Sequence, residues 1–108
     1  MIRLSYVSTV NADIDTHAKE ALVANAAAAN RKNEIGGVIA FDGQRVCQIL
    51  EGDREKVLQL FASIARDPRH SNVFELDRAE VDKRLFHDWG MVKRTMSDMV
   101  MYAYSVLP

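Results

Sequence analysis

Apolar and polar residues alternate from the start of the chain. Ile2, Leu4, Tyr6 and Ser8 share one side of an extended segment and Arg3, Ser5 and Val7 the other, which is the period of a strand. A strand that opens a chain usually lies inside a small sheet. Asn11-Ala12-Asp13 reads as a turn, with Asp13 or Asp15 placed to cap a helix. From Thr16 to about Asn30, Ala18, Ala21, Leu22, Asn25, Ala28 and Ala29 recur near helical spacing. Alanine favours a helix but adds little bulk. Such a thin face either packs tightly on a sheet or lets a flat ligand approach. Arg31-Lys32-Asn33-Glu34 is a polar loop, and two apolar runs then flank Phe41-Asp42-Gly43-Gln44, where Asp-Gly signals a hairpin. Asp53 caps a second helix with Glu55 in its first turn and Val57, Leu58, Leu60, Phe61 and Ile64 along its apolar face. It ends at Arg66-Asp67-Pro68, because proline disfavours helical backbone in the residue before it. Arg69-His70 falls in a loop and Val73–Val81 reads as a strand. Residues 83–92 supply a turn and a short final strand with Trp89 and Met91 on one face, and a last helix starts at Thr95-Met96-Ser97-Asp98.

The expected fold is α+β: a ferredoxin-like β-α-β-β-α-β sandwich with an extra fifth strand and a short C-terminal helix. Residues 1–93 would form the core and 94–108 a helical tail, whose Met96, Met99, Met101, Tyr102, Tyr104 and Val106 either cover the sheet or offer a signalling or dimer contact. With 108 residues there is room for one core. A net charge of −1 with scattered basic residues argues against a nucleic-acid surface. Cys47 is the only cysteine, which excludes a disulfide framework and a thiolate zinc site and fits a reducing, cytoplasmic compartment. No apolar run approaches the ~20 residues of a membrane span.

Conventional enzyme chemistry is poorly represented. Gly36-Gly37 precedes a strand rather than a helix, so it is no phosphate loop, and His17, His70 and His87 lack metal-ligand spacing. Cys47 has no evident base. The unusual residue is Gln48, a primary amide between Cys47 and Ile49 in an apolar strand. Unpaired in a core it would lose about 1–3 kcal/mol. Either it faces water at a strand end, or a side chain, the sheet backbone or a polar ligand meets it. Tyr6, Trp89 and Met91 on other strands and Asn30 at a helix end make up the remaining polar and redox-capable set.

These residues carry a resemblance. Leu4-Ser5-Tyr6-Val7-Ser8, Asn30, Ile35-Gly36-Gly37, Gln48-Ile49-Leu50-Glu51-Gly52, Asp67-Pro68-Arg69-His70, Arg84-Leu85-Phe86 and Trp89-Gly90-Met91 are similar in order and register to a BLUF domain, the blue-light sensor that uses flavin. The resemblance covers essentially the whole chain. It implies FAD, with FMN or riboflavin able to substitute, held edge-on between the two long helices without a covalent bond. Asn30 would bind the pyrimidine edge, and Gln48 would lie between Tyr6 and the N5/C4=O edge. Arg69 and His70 would lie near the other carbonyl and the ribityl end, with Asp67 positioning their loop. Ser8 and Ile35 belong to the same implied flavin-binding set. In the family's photocycle Tyr6 supplies an electron, a proton follows through Gln48, and the amide ends rotated or tautomerised. A stronger hydrogen bond at C4=O then shifts absorption to the red until the dark state returns thermally. Trp89 and Met91 would pass the change on, and either of the two would pack beside Gln48, with Met91 preferred.

The chain departs from the family pattern at Gly36, where threonine is usual, at Val46, where an aromatic is usual, and at Ala29, often polar. These positions bear on flavin affinity and recovery rate rather than on the Tyr6–Gln48 pair. The resemblance implies a sensor without catalysis of its own that signals to a partner protein or a second copy. Two rival classes share the predicted topology: a ferredoxin-like regulatory domain that binds a small molecule without photochemistry, and a small acyl-phosphate-type hydrolase, weakened because this sequence has no Arg/Asn pair in a fitting anion loop.

Overall fold

A computed structural model describes residues 1–86, 92–97 and 99. In chain order the elements are β1 (Ile2–Val10), α1 (Thr16–Lys32), β2 (Gly36–Asp42), β3 (Arg45–Gly52), α2 (Arg54–Arg66), β4 (His70–Glu80) and β5 (Val92–Arg94). β4, β1, β3 and β2 lie side by side in that order, each antiparallel to its neighbour. Each β-α-β unit is thus split by a strand of the other, as in the expected ferredoxin-like arrangement. β5 lies parallel to β2 through Val38↔Val92, Ile39↔Lys93 and Ala40↔Arg94. It overlaps the final strand expected within residues 83–92 only at Val92, and residues 81–86 are irregular. Trp89 and Met91 lie outside the described residues. So does most of the C-terminal tail, apart from one helical hydrogen bond, Met99 N–H to the Thr95 carbonyl at 3.2 Å.

Both helices cover the same face of the sheet. Ile2, Leu4, Tyr6 and Val10 of β1, Ile39 of β2, and Val46 and Leu50 of β3 form its buried core with Ile35 and Val57. Full burial of one such aliphatic side chain is worth about 1.5–3 kcal/mol. α2 shares fully in this core through Val57, with Leu58, Leu60, Phe61 and Ile64 half-buried around it. α1 does not: Val23 and Ala27 are only partly buried, and its one buried residue is the polar Asn30. Polar pins hold it instead. The Asp15 carboxylate accepts from Ala18 N–H at 2.8 Å, which settles the cap on Asp15 rather than Asp13. Lys19 Nζ donates to the Gly43 carbonyl at 2.7 Å and sits over the Phe41 ring. A thinly packed helix standing over a sheet leaves room between them.

The opposite face carries a second cluster of Val38, Ala40, Ile49, Phe86 and Met99. β4 is the edge strand, and its register against β1 shifts between Ser5 and Tyr6 and again between Val7 and Thr9. Such bulges break the two-residue alternation and leave Phe74 and Leu76 exposed.

The hairpin between β2 and β3 turns through Gly43 at φ +59° with open space around its Cβ position. A side chain there meets backbone strain rather than a clash. Gly43→Val should therefore lose about 1–3 kcal/mol in thermal or urea unfolding, and Gly43→Asn clearly less. Equal losses would place the cause outside the backbone.

Candidate functional site

One rung of the sheet builds the floor of a cleft. Tyr6 of β1, Gln48 of β3 and Ile39 of β2 are direct cross-strand partners, and all three turn toward the helices. The cleft measures about 270 Å³ and lies between Leu22, Asn25, Ala26 and Ala29 of α1 and Leu60, Ser63 and Ile64 of α2. Asn30, Asp67, Arg69 and His70 also line it. An adjoining hollow of about 220 Å³ shares Ala29, Asn30, Leu60 and Ser63 with it. A larger hollow of about 670 Å³ reaches to the other face beside Val7, Cys47, Met96 and Met99; Tyr6, Asn30 and Gln48 do not line it.

The Tyr6 hydroxyl donates to Gln48 Oε1, and both residues are buried. Antiparallel pairing puts the two side chains on one face at one rung, so the contact follows from the register. Tyr6 also packs against Phe61, with ring centroids 5.3 Å apart and planes tilted by 50°. Burial pushes the phenol well above its ordinary pKa, with a further contribution from Cys47, so Tyr6 holds its proton. At the other end of the cleft wall, Asn30 is only 2% exposed, and its Nδ2 is the buried side-chain nitrogen left without a partner among the described residues. An unsatisfied buried donor forfeits about 1–3 kcal/mol unless something meets it. The backbone beneath Asn30 is tied down: its carbonyl accepts from Ile35 N–H at 2.8 Å and Asn33 N–H at 3.1 Å. Ile35 thus supports Asn30 from outside the main cleft and lines the adjoining hollow.

Asp67 and Arg69 form a fork. The Arg69 Nε and Nη2 groups donate to the Asp67 carboxylate at 2.6–3.1 Å, and the Arg69 backbone N–H adds a bond of 2.9 Å. These side-chain bonds, chiefly, lower the Asp67 carboxyl from 3.8 to about 2. An exposed pair of this kind adds little stability; what it does is hold the Arg69 head in one orientation. His70 is the first residue of β4 rather than part of a loop. Its Nδ1 lies 3.0 Å from the Ser8 hydroxyl, so Ser8 reaches the cleft through His70 instead of lining it. Burial lowers the His70 pKa, Asp67 opposes this, and Arg69 adds to it. The imidazole is therefore neutral at neutral pH.

Tyr6, Asn30, Gln48, Asp67, Arg69 and His70 are thus gathered around one cleft, with Ser8 and Ile35 one contact behind it. Of the departures, Ala29 lines the cleft, whereas Gly36 pairs with Glu51 at the strand end and Val46 is core. Sequence reasoning passed over Asn25 and Ser63 as site residues, although each is a polar group on a helix face otherwise lined by apolar neighbours.

The model of the BLUF family, described as sensors of blue-light using FAD, matches residues 1–92. The chain belongs to the BLUF family. Among its relatives is the blue light- and temperature-regulated antirepressor BluF of Escherichia coli (strain K12), 33% identical over 88 residues, which are 82% of this chain and 22% of that protein. The photoactivated adenylate cyclase subunit beta of Euglena gracilis is 26% identical over 85% of this chain and 11% of its own length. Klebsiella pneumoniae BlrP1, solved with FMN and cyclic diGMP, superposes with a TM-score of 0.80 at 36% identity over 89% of this chain and 26% of that one. The chain therefore spans about a fifth or less of the curated relatives named. It is a blue-light photoreceptor domain, and the matched domain is a sensor rather than a catalytic unit. No helix among the described residues is long and apolar enough to cross a membrane.

A histidine with a depressed folded pKa contributes stability that is complete above its unfolded value and is lost as pH falls through the folded one. Melting temperature should therefore drop below about pH 6.5, and should drop less in His70→Gln. Asp67 titrates near 2 and leaves that window undisturbed. An unchanged pH profile in the variant would remove His70 as the cause.

Proposed function

We propose that the cleft between α1 and α2 holds the isoalloxazine ring of FAD and that the Tyr6–Gln48 pair is the element light rearranges. The observation that carries this is one rung of the sheet presenting a buried phenol on a buried amide beneath an orphaned Asn30 donor. The residues fit such a ring. Ala26 and Ala29 leave a flat wall, Asn30 Nδ2 offers a hydrogen bond, and Arg69 and His70 offer polar groups near its second carbonyl. Asp67 orients Arg69, Ser8 orients His70, and Ile35 steadies Asn30. Every contact in this set addresses the ring, so FMN or riboflavin is expected to substitute for FAD.

Bound flavin supplies absorption of blue light and an acceptor for an electron and a proton. The protein supplies the donor and the relay. Tyr6 keeps its proton in the dark, so the phenol is an intact source of both. Its hydroxyl proton would move along the existing bond to Gln48 Oε1 while Nε2 gives one to the bound acceptor, which also takes the Tyr6 electron; the reverse transfer would restore the Tyr6 phenol. Gln48 then has two satisfied arrangements. Its oxygen faces the Tyr6 hydroxyl in one, and its nitrogen donates to the Tyr6 oxygen in the other. Intermediate orientations leave buried groups unpaired, at about 1–3 kcal/mol each. Two minima separated in this way constitute a switch.

Trp89 and Met91 would carry the change onward, Met91 beside Gln48, to the tail of residues 94–108 and then to a partner protein or a second copy of the chain. The relatives' names point to outputs as different as an antirepressor and a cyclase, which supports a separate protein effector as the recipient.

Purified protein should be yellow and should shift its flavin bands to the red under blue light, then recover in the dark. Protein that stays colourless after flavin reconstitution would refute the proposal. Gln48→Leu should keep flavin but lose the shift entirely, and a reversible shift in that variant would rule out the switch. Tyr6→Phe should likewise lose the long-lived shifted state; photocycling at the parental yield would mean that another donor serves.

A further inference from the structure

Glu51 is the one charged residue buried among the described residues, and it belongs to no part of the cleft. A carboxylate without contact with water must collect donors or forfeit several kcal/mol. Glu51 collects them from two separate parts of the chain. Arg3 of β1, its direct cross-strand partner, donates Nε to Oε2 at 2.9 Å and brings Nη2 to 2.8 Å of the same oxygen. The consecutive backbone N–H groups of Leu85 and Phe86 donate to Oε2 and Oε1 at 2.9 and 3.1 Å. Arg84 adds a reach to the Glu51 carbonyl at 3.5 Å and a bond to the Glu34 carbonyl at 3.1 Å. The irregular chain after β4 is therefore fastened to the sheet at Glu51.

The position of this fastening is what gives it meaning. Arg3↔Glu51 and Tyr6↔Gln48 are rungs of the same strand pair, three residues apart, so the two pairs project from opposite faces. Ile49, next to Gln48, turns to the Glu51 face and shares a buried cluster with Phe86, Val38 and Ala40. Phe86 is thus held twice, by its N–H on Glu51 and by its ring on the neighbours of Gln48. A rearrangement that alters how β1 and β3 pair at Gln48 is felt at both points.

We propose that Glu51, oriented by Arg3, is a positioning residue that fastens Leu85–Phe86 to the far face of β3 and passes the state of Gln48 to the chain that follows. This rests on the photoreceptor reading above. In the dark, both amide hydrogens sit on the carboxylate. In the light, the strand carrying Gln48 and Glu51 shifts against β1, and the two amide bonds loosen.

Amide hydrogen exchange, resolved at residues 83–99 in dark and blue light, tests this directly. The flavin-loaded parent should show slow exchange at Leu85 and Phe86 in the dark and faster exchange in the light. Glu51→Gln preserves the side-chain volume but removes the charge. It should keep flavin and the red shift, exchange about tenfold faster or more at these two amides in the dark, and lose the light–dark difference. Unchanged protection in Glu51→Gln, or a light–dark difference of parental size, would overturn the proposal. So would a parent that shifts its absorption normally but shows no light effect at 85–86. If Glu51→Gln fails to fold, Arg3→Lys keeps the charge and loses the fork. It should raise exchange at the same amides, and failure to do so is equally decisive against the role. A parent without any red shift would bring down the reading of the cleft, and the light coupling with it. Absorption reports that failure separately from dark exchange.

Discussion

A phenol and a primary amide share one rung at the centre of this protein, and most of the architecture can be traced to keeping that contact dry and paired. The bond between the Tyr6 hydroxyl and Gln48 Oε1 requires β1 beside β3 in antiparallel register with both side chains turned the same way. The split β-α-β topology supplies this by inserting β3 between β1 and β2. It also places both helices on the face to which the pair points. A fully packed pair of helices would bury the amide among hydrocarbon. The alanine-rich α1 packs lightly and leaves a cleft instead, with polar groups from its end and from the segment after α2 gathered at its margin.

The polar residues around the cleft fall into two ranks. Those lining it, Asn30, Asp67, Arg69 and His70, include the groups that on the proposed reading would hydrogen-bond a flat heterocycle. Behind them, Ile35 and Ser8 hold Asn30 and His70 in place through a backbone bond and a hydroxyl contact, while Asp67, at the margin itself, holds Arg69 through an ionic fork. These supports matter to the proposed switch, because an amide with two hydrogen-bond patterns would need fixed surroundings to have two distinct states. Glu51 extends the same logic to the other face. Its fully buried carboxylate fastens the chain leaving β4 to the strand that carries Gln48.

BLUF relatives attach this domain to much longer chains, and its share of their length is small. A sensor reused in that way benefits from separating its two surfaces. On the proposed reading the helix face would take the ligand, while the far face receives residues 85–86.

Much of the fold was legible in the residue pattern. Alternation marked β1, Asp-Gly marked the hairpin, and Asp53 and Pro68 bracketed α2, because these signals are local and act within a few residues. β4 was less legible, since its two bulges arise from pairing with β1 and break the alternation along its own length. From the sequence His70 reads as loop for the same reason: what makes it a strand residue is Val10 across from it. The aromatic, amide and Asn positions of the cleft were readable through their resemblance to BLUF domains. That Ser8 and Ile35 act at one remove was not, because their partners lie across strands or beneath a helix end. Glu51 illustrates the division most clearly. Alone, the sequence determined a strand ending Ile-Leu-Glu-Gly and assigned its glutamate no partner. Only the tertiary structure decided that this carboxylate is buried, because its donors, Arg3 and the backbone of residues 85–86, are distant in the chain and are brought together by the sheet.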